Sequence, residues 1–412
     1  MRHKKKVSIV GSGITGLSAA LIFLKKNMEV EIFEKGDLEG GIIKDIIIGK
    51  KNYLSGCQYL STESFWYKNV PQKIKRLLRL EDIKYMSYCD LFNNKEKCLD
   101  NFADVHIDKK INISELKIKQ IKTLYDKFSL FPHTISKVLE DWSNRFQIDL
   151  KKLTPDSHRN GYMFSRIFLK KNKEIKNLKT TNKIADDLYG IPREKNFNFK
   201  GLLPVKGYNE FFKEFSKYLK KKKININLKT PVAPIWKDNK IFLKSKGKLI
   251  ESDYVLWTGN PVPLIKEFNN NLLDSANIKL RAMTFKANGR ITTDFYIQVY
   301  AKKSSILRLF VYKKNKSLFC SVECLNESED IKKIKEDANM ILKSFDKKIY
   351  LKGDKIFDVI QKRYSVLSTK DYKILGDFKK SILDTNLISS PWEYASGQTK
   401  LKILESTLRE IN

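Results

Sequence analysis

Residues 7–16 of this 412-residue chain read Val-Ser-Ile-Val-Gly-Ser-Gly-Ile-Thr-Gly, a short apolar run followed by a Gly-x-Gly-x-x-Gly motif. The run at 7–10 predicts a strand, and apolar residues at helical spacing predict a helix over 17–26. A second apolar run at 30–33 ends at Glu34. A strand, a glycine turn, a helix and a second strand in this order are typical of the βαβ unit that binds a dinucleotide.

Each part of this unit has a physical task. Gly11 permits the tight turn, Gly13 lets the backbone approach a pyrophosphate, and Gly16 lets the helix pack against the strand. The N-terminus of the helix offers N–H donors to the phosphates. Glu34 comes where a carboxylate accepts hydrogen bonds from ribose hydroxyls. The predicted dinucleotide-binding residues are Gly11, Ser12, Gly13, Ile14, Thr15, Gly16, Glu34 and Lys35.

A glycine pair, Gly40 and Gly41, follows Glu34 by six residues. An acid followed by a glycine pair at this distance resembles the two-dinucleotide-binding motif of FAD enzymes. These include amine oxidases, protoporphyrinogen oxidase, phytoene desaturases and UDP-galactopyranose mutase. The resemblance implies that the cofactor is FAD and that both glycines help to bind it. The residue after the pair is Ile42, where the family has a basic or polar residue, and this removes one phosphate contact.

Later blocks extend the resemblance to most of the chain. They are Leu-Pro-Val-Lys-Gly-Tyr at 203–208, Thr-Pro-Val at 230–232, Trp-Thr-Gly at 257–259 and the stretch from Arg363 to the closing helix. The resemblance implies that the backbone of Val232 lies over the adenine and that Thr258 and Gly259 lie near the phosphates. It also implies that the closing helix points its N-terminus at the flavin. The residues at that end are Ser396, Gly397 and Gln398.

The predicted catalytic residues are Arg281, Arg308, Gln58 and Tyr364. The two arginines fall where UDP-galactopyranose mutase has basic residues facing the diphosphate of its sugar nucleotide, and the alternative is that both are exposed strand arginines. Gln58 stands where the related families have a histidine near the flavin.

Several positions depart from the mutase pattern. Ser389 and Ser390 replace an expected arginine, Ser396 replaces an expected acid, and a Trp-Gly loop is missing around 150–165. We therefore expect first an FAD-dependent oxidoreductase in which flavin N5 accepts a hydride from a small substrate. One alternative is a flavin-dependent mutase that acts on an anionic nucleotide sugar in surface polysaccharide biosynthesis. Another is a flavin-binding protein without catalysis, or a basic surface-binding protein.

The predicted fold class is α/β. A discontinuous Rossmann-like FAD-binding domain comprises residues 1–64, 200–265 and 360–412. A mainly helical substrate or cap region is expected at 65–199, and an antiparallel substrate-domain sheet at 266–359. Residues 293–300 and 306–312 carry the strand-like runs that predict this sheet.

The formal net charge of +33 has two interpretations. The lysines are spread along the chain among many Ile and Asn residues, which AT-rich coding bias produces on solvated faces. The alternative is a preference for anionic substrates or for peripheral contact with anionic membranes. Motifs for specific nucleic-acid recognition, such as zinc-finger spacing or basic heptads, are missing.

Cysteine and histidine usage bounds the compartment and the chemistry. Five scattered cysteines without a Cys-x-x-Cys pair predict neither a disulfide framework nor a metal site, and the four histidines do not cluster. We expect a cytoplasmic protein. The basic residues before residue 7 imitate a signal peptide, but Ser8, Ser12, Thr15 and Ser18 interrupt the apolar stretch. A transmembrane segment is not predicted.

Overall fold

The computed structural model describes residues 4–62, 65–89, 97–100, 105–106, 120–130, 149–155, 167–168, 200–269, 276–301, 304–325, 328–393 and 397–411, with isolated residues at 136–144 and 273. The helices are α1 (Ile14–Lys25), α2 (Phe65–Asn69), α3 (Gln72–Lys75), α4 (Leu124–Ser129), α5 (Tyr208–Lys221), α6 (Val262–Asn269), α7 (Ile331–Phe345), α8 (Thr369–Ser381) and α9 (Gly397–Glu410), with a 3-10 turn at Leu150–Lys152.

The first strands are β1 (Lys6–Val10), β2 (Glu29–Phe33), β3 (Asp45–Ile48), β4 (Lys51–Leu54), β5 (Leu60–Ser61), β6 (Leu78–Glu81), β7 (Lys84–Cys89), β8 (Lys97–Asp100), β9 (Val105–His106), β10 (Ile167–Phe168) and β11 (Gly201–Pro204). The later strands are β12 (Asn225–Asn227), β13 (Ala233–Lys237), β14 (Lys240–Ser245), β15 (Lys248–Ile250), β16 (Tyr254–Trp257), β17 (Ala276–Asn288), β18 (Phe295–Val299), β19 (Ile306–Lys314), β20 (Ser317–Cys324), β21 (Tyr350–Val366) and β22 (Leu387–Ile388).

The part of the chain expected to bind the nucleotide, which we call the nucleotide-binding part, is a parallel sheet in the order β12-β2-β1-β16-β22. Its central strand β1 is buried, with Val7 and Ile9 fully inaccessible, as parallel strands covered on both faces require. Helix α1 packs against α9, and Lys26 at the end of α1 donates hydrogen bonds to the carbonyls of Arg409 and Ile411. Three separated stretches of the chain therefore build one sheet.

The second large unit is a seven-stranded sheet in the order β21-β17-β20-β19-β18-β7-β8. Its neighbours are antiparallel except for β18 and β7. Helix α7 covers one face, where buried residues such as Met283 and Ile334 share a core. The other face packs against the nucleotide-binding part through residues such as Phe310 and Tyr53. The predicted α/β fold, with a Rossmann-like domain and an antiparallel sheet, is confirmed.

The start of the segment expected to be mainly helical contains strands. Strand β6 pairs with β11, and β7 extends the seven-stranded sheet. The alternation of apolar and polar residues at 78–89 is short and includes charged residues. The sequence therefore did not predict these strands. Most of residues 90–199 lie outside the described residues, and so do many of the positions at which helices were predicted.

The Pro-x-x-Gly-Tyr element starts helix α5. Gly207 has a positive φ of 94°, and a Cβ there would collide with the side chains of Asp45 and Asn52. Asp45 accepts a hydrogen bond from the backbone N–H of Asn209 at 3.0 Å, and the Asn209 amide oxygen accepts from the N–H of Asp45 at 3.0 Å. This reciprocal pair joins the β3–β4 hairpin to α5.

Within the described ranges, the longest apolar helices are too short or too polar to cross a bilayer.

Candidate functional site

The glycine turn at the carboxyl end of β1 depends on two of its glycines for packing. Gly11 has a φ of 105°, and a Cβ there would lie 2.5 Å from Oγ1 of Thr258. A Cβ on Gly16 would overlap the carbonyl oxygen of Gly11. The Thr258 hydroxyl donates to the carbonyl of Val10 at 2.8 Å, which fixes β16 beside the turn. The tight turn and the close helix–strand packing predicted for Gly11 and Gly16 are present.

The glycine pair lies directly against the glycine turn. The N–H of Gly40 donates to the carbonyl of Ser12 at 3.0 Å. A Cβ on Gly41 would lie 3.5 Å from Cα of Gly13, whereas a Cβ on Gly13 would lie 3.8 Å from the nearest atom, the Gly40 oxygen. Two side-chain-free backbones therefore meet at the N-terminus of α1, which starts at Ile14. The first-turn N–H groups of a helix have no intrahelical acceptor and attract phosphate.

Glu34 is held by the same turn. One carboxylate oxygen accepts from the backbone N–H of Ser12 at 2.9 Å and from its hydroxyl at 3.0 Å, and the other accepts from the N–H of Gly36 at 2.8 Å. These bonds orient the carboxylate at the edge of the glycine turn. Because a carboxylate has about four acceptor positions, Glu34 keeps capacity for a ribose hydroxyl.

The other predicted cofactor residues lie around this point. Thr230 donates its N–H to the carbonyl of Glu34 at 2.8 Å, which brings Val232 beside the end of β2. Gly259 is exposed just beyond β16, and the side chain of Lys35 is also exposed. The buried members of the glycine turn are Ser12, Ile14, Thr15 and Gly16.

The closing helix is described only in part. Gly397 is the first residue of α9. The side chain of Gln398 and the whole of Ser396 lie outside the described residues, as does the side chain of Tyr364, whose backbone belongs to β21. The roles of these residues remain predictions.

Gln58 is buried beside the glycine pair. Its side-chain N–H donates to the carbonyl of Ile42 at 3.2 Å, and its amide oxygen accepts from the Ser55 hydroxyl at 3.3 Å. The hydroxyl of Tyr208 donates to its backbone carbonyl at 3.3 Å. These contacts hold the 55–58 loop against the residue that follows Gly41, on the side expected for the flavin.

The two candidate arginines lie on opposite faces of the seven-stranded sheet, contrary to the expectation that both face one diphosphate. Arg281 pairs in register with Cys324 and Arg308 with Glu323. Glu323 and Cys324 are adjacent in β20, so their side chains point to opposite faces of the sheet. Their partners Arg308 and Arg281 therefore do the same. The reading of both as exposed strand arginines is also wrong, since both are largely buried.

Arg281 is an internal ion-pair residue on the face covered by α7. Its Nε and Nη2 donate to the two carboxylate oxygens of Asp358 at 2.9 and 2.7 Å, and Nη1 donates to the carbonyl of Glu329 at 2.7 Å. This guanidinium lowers the pKa of Asp358 below its ordinary value. A planar fork already bound to a carboxylate is not available for a substrate phosphate. Arg281 is therefore removed from the candidate catalytic set.

Arg308 faces the nucleotide-binding part. It forms an ion pair with Glu323, whose side chain is fully inaccessible. The other carboxylate oxygen of Glu323 accepts from the backbone N–H of Cys57 at 2.9 Å, next to Gln58. The pair thus connects the large sheet to the 55–58 loop, and Glu323 links Arg308 to the residue next to Gln58.

Sequence reasoning missed Glu323. It is the acid in the otherwise apolar and small run Ser317–Cys324, and a lone charge in a buried strand indicates an internal partner. The sequence therefore indicates that Glu323 has a partner. It does not show which residue the partner is, because Arg308 belongs to a different strand.

Groups of three or more acidic, His or Cys side chains arranged to hold a metal ion are not found in the described part of the chain.

The sequence profile of the NAD(P)-binding Rossmann-like domain matches residues 9–73. Over 45 residues the chain is 51% identical to a 1-hydroxycarotenoid 3,4-desaturase of a Flavobacterium species. That match spans 11% of this chain and 9% of the length of the desaturase.

Solved structures resemble the chain over nearly its whole length. A reduced UDP-galactopyranose mutase has a TM-score of 0.67 at 12% identity, with 99% of this chain and 94% of that chain covered. A protein assigned as a protoporphyrinogen oxidase from an Exiguobacterium species has a TM-score of 0.60 at 13% identity, with 99% of both chains covered. A putrescine oxidase bound to putrescine has 0.56 at 10%, again with 99% of both covered. At these identities the likeness shows the fold.

Proposed function

We propose that this chain, which has the fold of the FAD-dependent amine-oxidase-like superfamily, is an FAD-dependent oxidoreductase acting on a small organic substrate. The observation that carries the proposal is the meeting of two bare backbones, at Gly13 and Gly41, in front of the N-terminus of α1. A diphosphate needs such a close approach to peptide N–H groups, and Glu34 is oriented beside it for a ribose.

The described residues fit the ADP half of FAD. Gly13, Gly41 and the first turn of α1 would bind the diphosphate, Glu34 the adenosine ribose, and the backbone near Val232 the adenine. The helix dipole adds a favourable field for the negative charge of the phosphates. The chemistry that FAD supplies when bound is the acceptance of a hydride by its flavin ring.

We assign the substrate side to the region around the 55–58 loop, where this loop contacts the face of the large sheet that carries Arg308. Glu323 there contacts both Arg308 and the N–H of Cys57, which joins the loop to the sheet. In our proposal Gln58 contributes a neutral amide to this side. A charged side chain at the same position would bind an ion of opposite charge. Arg308, whose guanidinium is paired with Glu323, would act as a positioning residue for the 55–58 loop.

The absorbance spectrum of the purified protein tests this proposal directly. We expect flavin absorbance, or its recovery on adding FAD. An anaerobic screen of amines and of substrates with an oxidisable C–C bond should then bleach the oxidised flavin. A colourless preparation that also refuses added FAD would rule the proposal out.

A mutase is the second candidate, and two observations favour it. The reduced UDP-galactopyranose mutase superposes with a TM-score of 0.67, and Arg308 faces the proposed substrate side. A mutase would turn over a sugar nucleotide only after reduction with dithionite. A protein that binds flavin but does neither reaction would fit the binding-protein alternative.

A cytoplasmic location is part of the proposal. Cys57, Cys320 and Cys324 carry buried thiols that are not in disulfides, as expected in a reducing compartment.

A further inference from the structure

The β3–β4 hairpin carries exposed branched apolar side chains at its tip. Ile47 and Ile48 are 56% and 46% exposed; the turn after them is formed by Gly49 and Lys50, and Lys51 begins β4. Antiparallel hairpins at a water-facing edge normally keep apolar side chains on the buried face. Here Ile46 and Tyr53 contact the core, while Ile47 and Ile48 are left outside it.

A neighbouring loop adds to the same surface. Ile47 lies opposite Asn52 in the hairpin, and the Asn52 side chain donates to the carbonyl of Lys206 at 3.0 Å. Val205, directly before Lys206, is 58% exposed. We call the surface formed by Ile47, Ile48, Lys50, Lys51, Val205 and Lys206 the hairpin patch.

The charge of the patch has one sign. The exposed ionisable side chains of the segment 46–52 are lysines, and the acid of the hairpin, Asp45, is buried against Asn209. Lysines around apolar side chains suit the boundary between lipid headgroups and acyl chains, since their stems cover apolar surface while the ammonium groups reach phosphates. A protein partner with an acidic rim would need a concave apolar surface, whereas a two-stranded tip is convex.

We propose that the hairpin patch docks the protein on anionic lipid bilayers, with the two isoleucines entering the interface and the lysines contacting headgroups. This inference does not depend on the chemistry proposed for the site. It gives part of the +33 charge a function, and it leaves the scattered remainder as solvated surface.

Vesicle flotation tests the proposal with the full-length protein. The wild type should float with vesicles of phosphatidylcholine mixed with phosphatidylserine and stay behind with phosphatidylcholine alone. The double variant Lys50→Gln/Lys51→Gln should bind about 30-fold more weakly, because each lysine near an anionic surface contributes about 1 kcal/mol.

A matched control removes two lysines elsewhere. Lys220 and Lys221 end helix α5 roughly 20 Å along the helix from its start beside the hairpin. The variant Lys220→Gln/Lys221→Gln has the same net charge as the hairpin variant and should float like the wild type. Equal losses in both double variants would mean that unspecific charge drives binding, and would overturn the proposal.

The apolar part has its own test. Ile47→Ser/Ile48→Ser should weaken flotation about tenfold or more while leaving the melting temperature unchanged. In an Ile47→Trp variant, brominated lipids should quench tryptophan fluorescence more than they do in the wild type, which has five tryptophans. A wild type that ignores anionic vesicles, or that binds duplex DNA and no vesicle, would also refute the proposal.

Discussion

The side chain of Gly13 is a single hydrogen atom, and this leaves room for a diphosphate in front of α1. Its φ of −70° and ψ of 179° are open to any residue, and a Cβ there would make only ordinary contacts with Gly40 and Gly41. Gly16 and Gly40 differ, because a Cβ on either would collide with the protein itself. Among these glycines, Gly13 is therefore the one at which a side chain should impair cofactor binding with the least effect on folding.

Gly13→Val should abolish cofactor retention without unfolding the protein. The branched side chain would fill the gap in front of α1, and we expect FAD binding to weaken at least about 100-fold, or roughly 2.7 kcal/mol. Flavin absorbance per protein and the melting temperature measure the two effects. Gly376→Val on helix α8, where a Cβ meets open space, is the matched control. Full flavin occupancy in Gly13→Val would mean that the proposed site is wrong.

At the scale of elements, ion pairs join strands that are distant in the chain. Arg281 on β17 binds Asp358 on β21 and the Glu329 carbonyl just before α7. Lys355 also donates to Asp358 at 2.7 Å. This network fixes the edge of the large sheet and the start of the helix that covers it.

Arg281→Gln should lower the free energy of unfolding by about 2 kcal/mol, less than for a fully buried pair because Lys355 still pairs with Asp358. The flavin spectrum and substrate specificity should not change. Urea denaturation measures the stability, and absorbance measures the flavin spectrum. Arg290→Gln, at an exposed residue outside the helices and strands, should change neither of them. A specific loss of substrate binding in Arg281→Gln at unchanged stability would return this residue to the active site.

At the scale of the molecule, Asp294 links the large sheet to the β6–β7 segment. Its carboxylate accepts from the N–H of Lys313 at 2.9 Å and lies 3.5 Å from the guanidinium of Arg79, while its carbonyl accepts from the N–H of Lys84 at 2.9 Å. Burial raises the pKa of Asp294 to about 6. The folded state therefore binds this proton more tightly than the unfolded chain does.

This raised pKa gives a pH dependence of known sign. The contribution of Asp294 to the free energy of unfolding is full below pH 4 and is lost as the pH rises through about 6. The stability of the wild type relative to Asp294→Asn should therefore fall by up to about 3 kcal/mol between pH 4 and pH 7.5. Urea titrations at several pH values measure it, and a difference that stays constant or rises with pH would contradict the assignment.

The dinucleotide-binding unit was predictable from the sequence because its signals are local. The turn glycines, the α1 spacing and Glu34 lie within about thirty residues, and each acts through backbone geometry that neighbours in the chain determine. The antiparallel sheet was also predictable, since alternation along β18 and β19 marks a sheet face.

Only the tertiary structure decided what the arginines do. Whether Arg281 or Arg308 faces the nucleotide-binding part depends on the register of β17 and β19 against β20, and a shift of one residue would exchange the faces. The same pairing brings Glu323 to Arg308 and to the Cys57 N–H. Register comes from contacts between segments far apart in the chain, so the periodicity of one strand shows that it has two faces but not what each face meets.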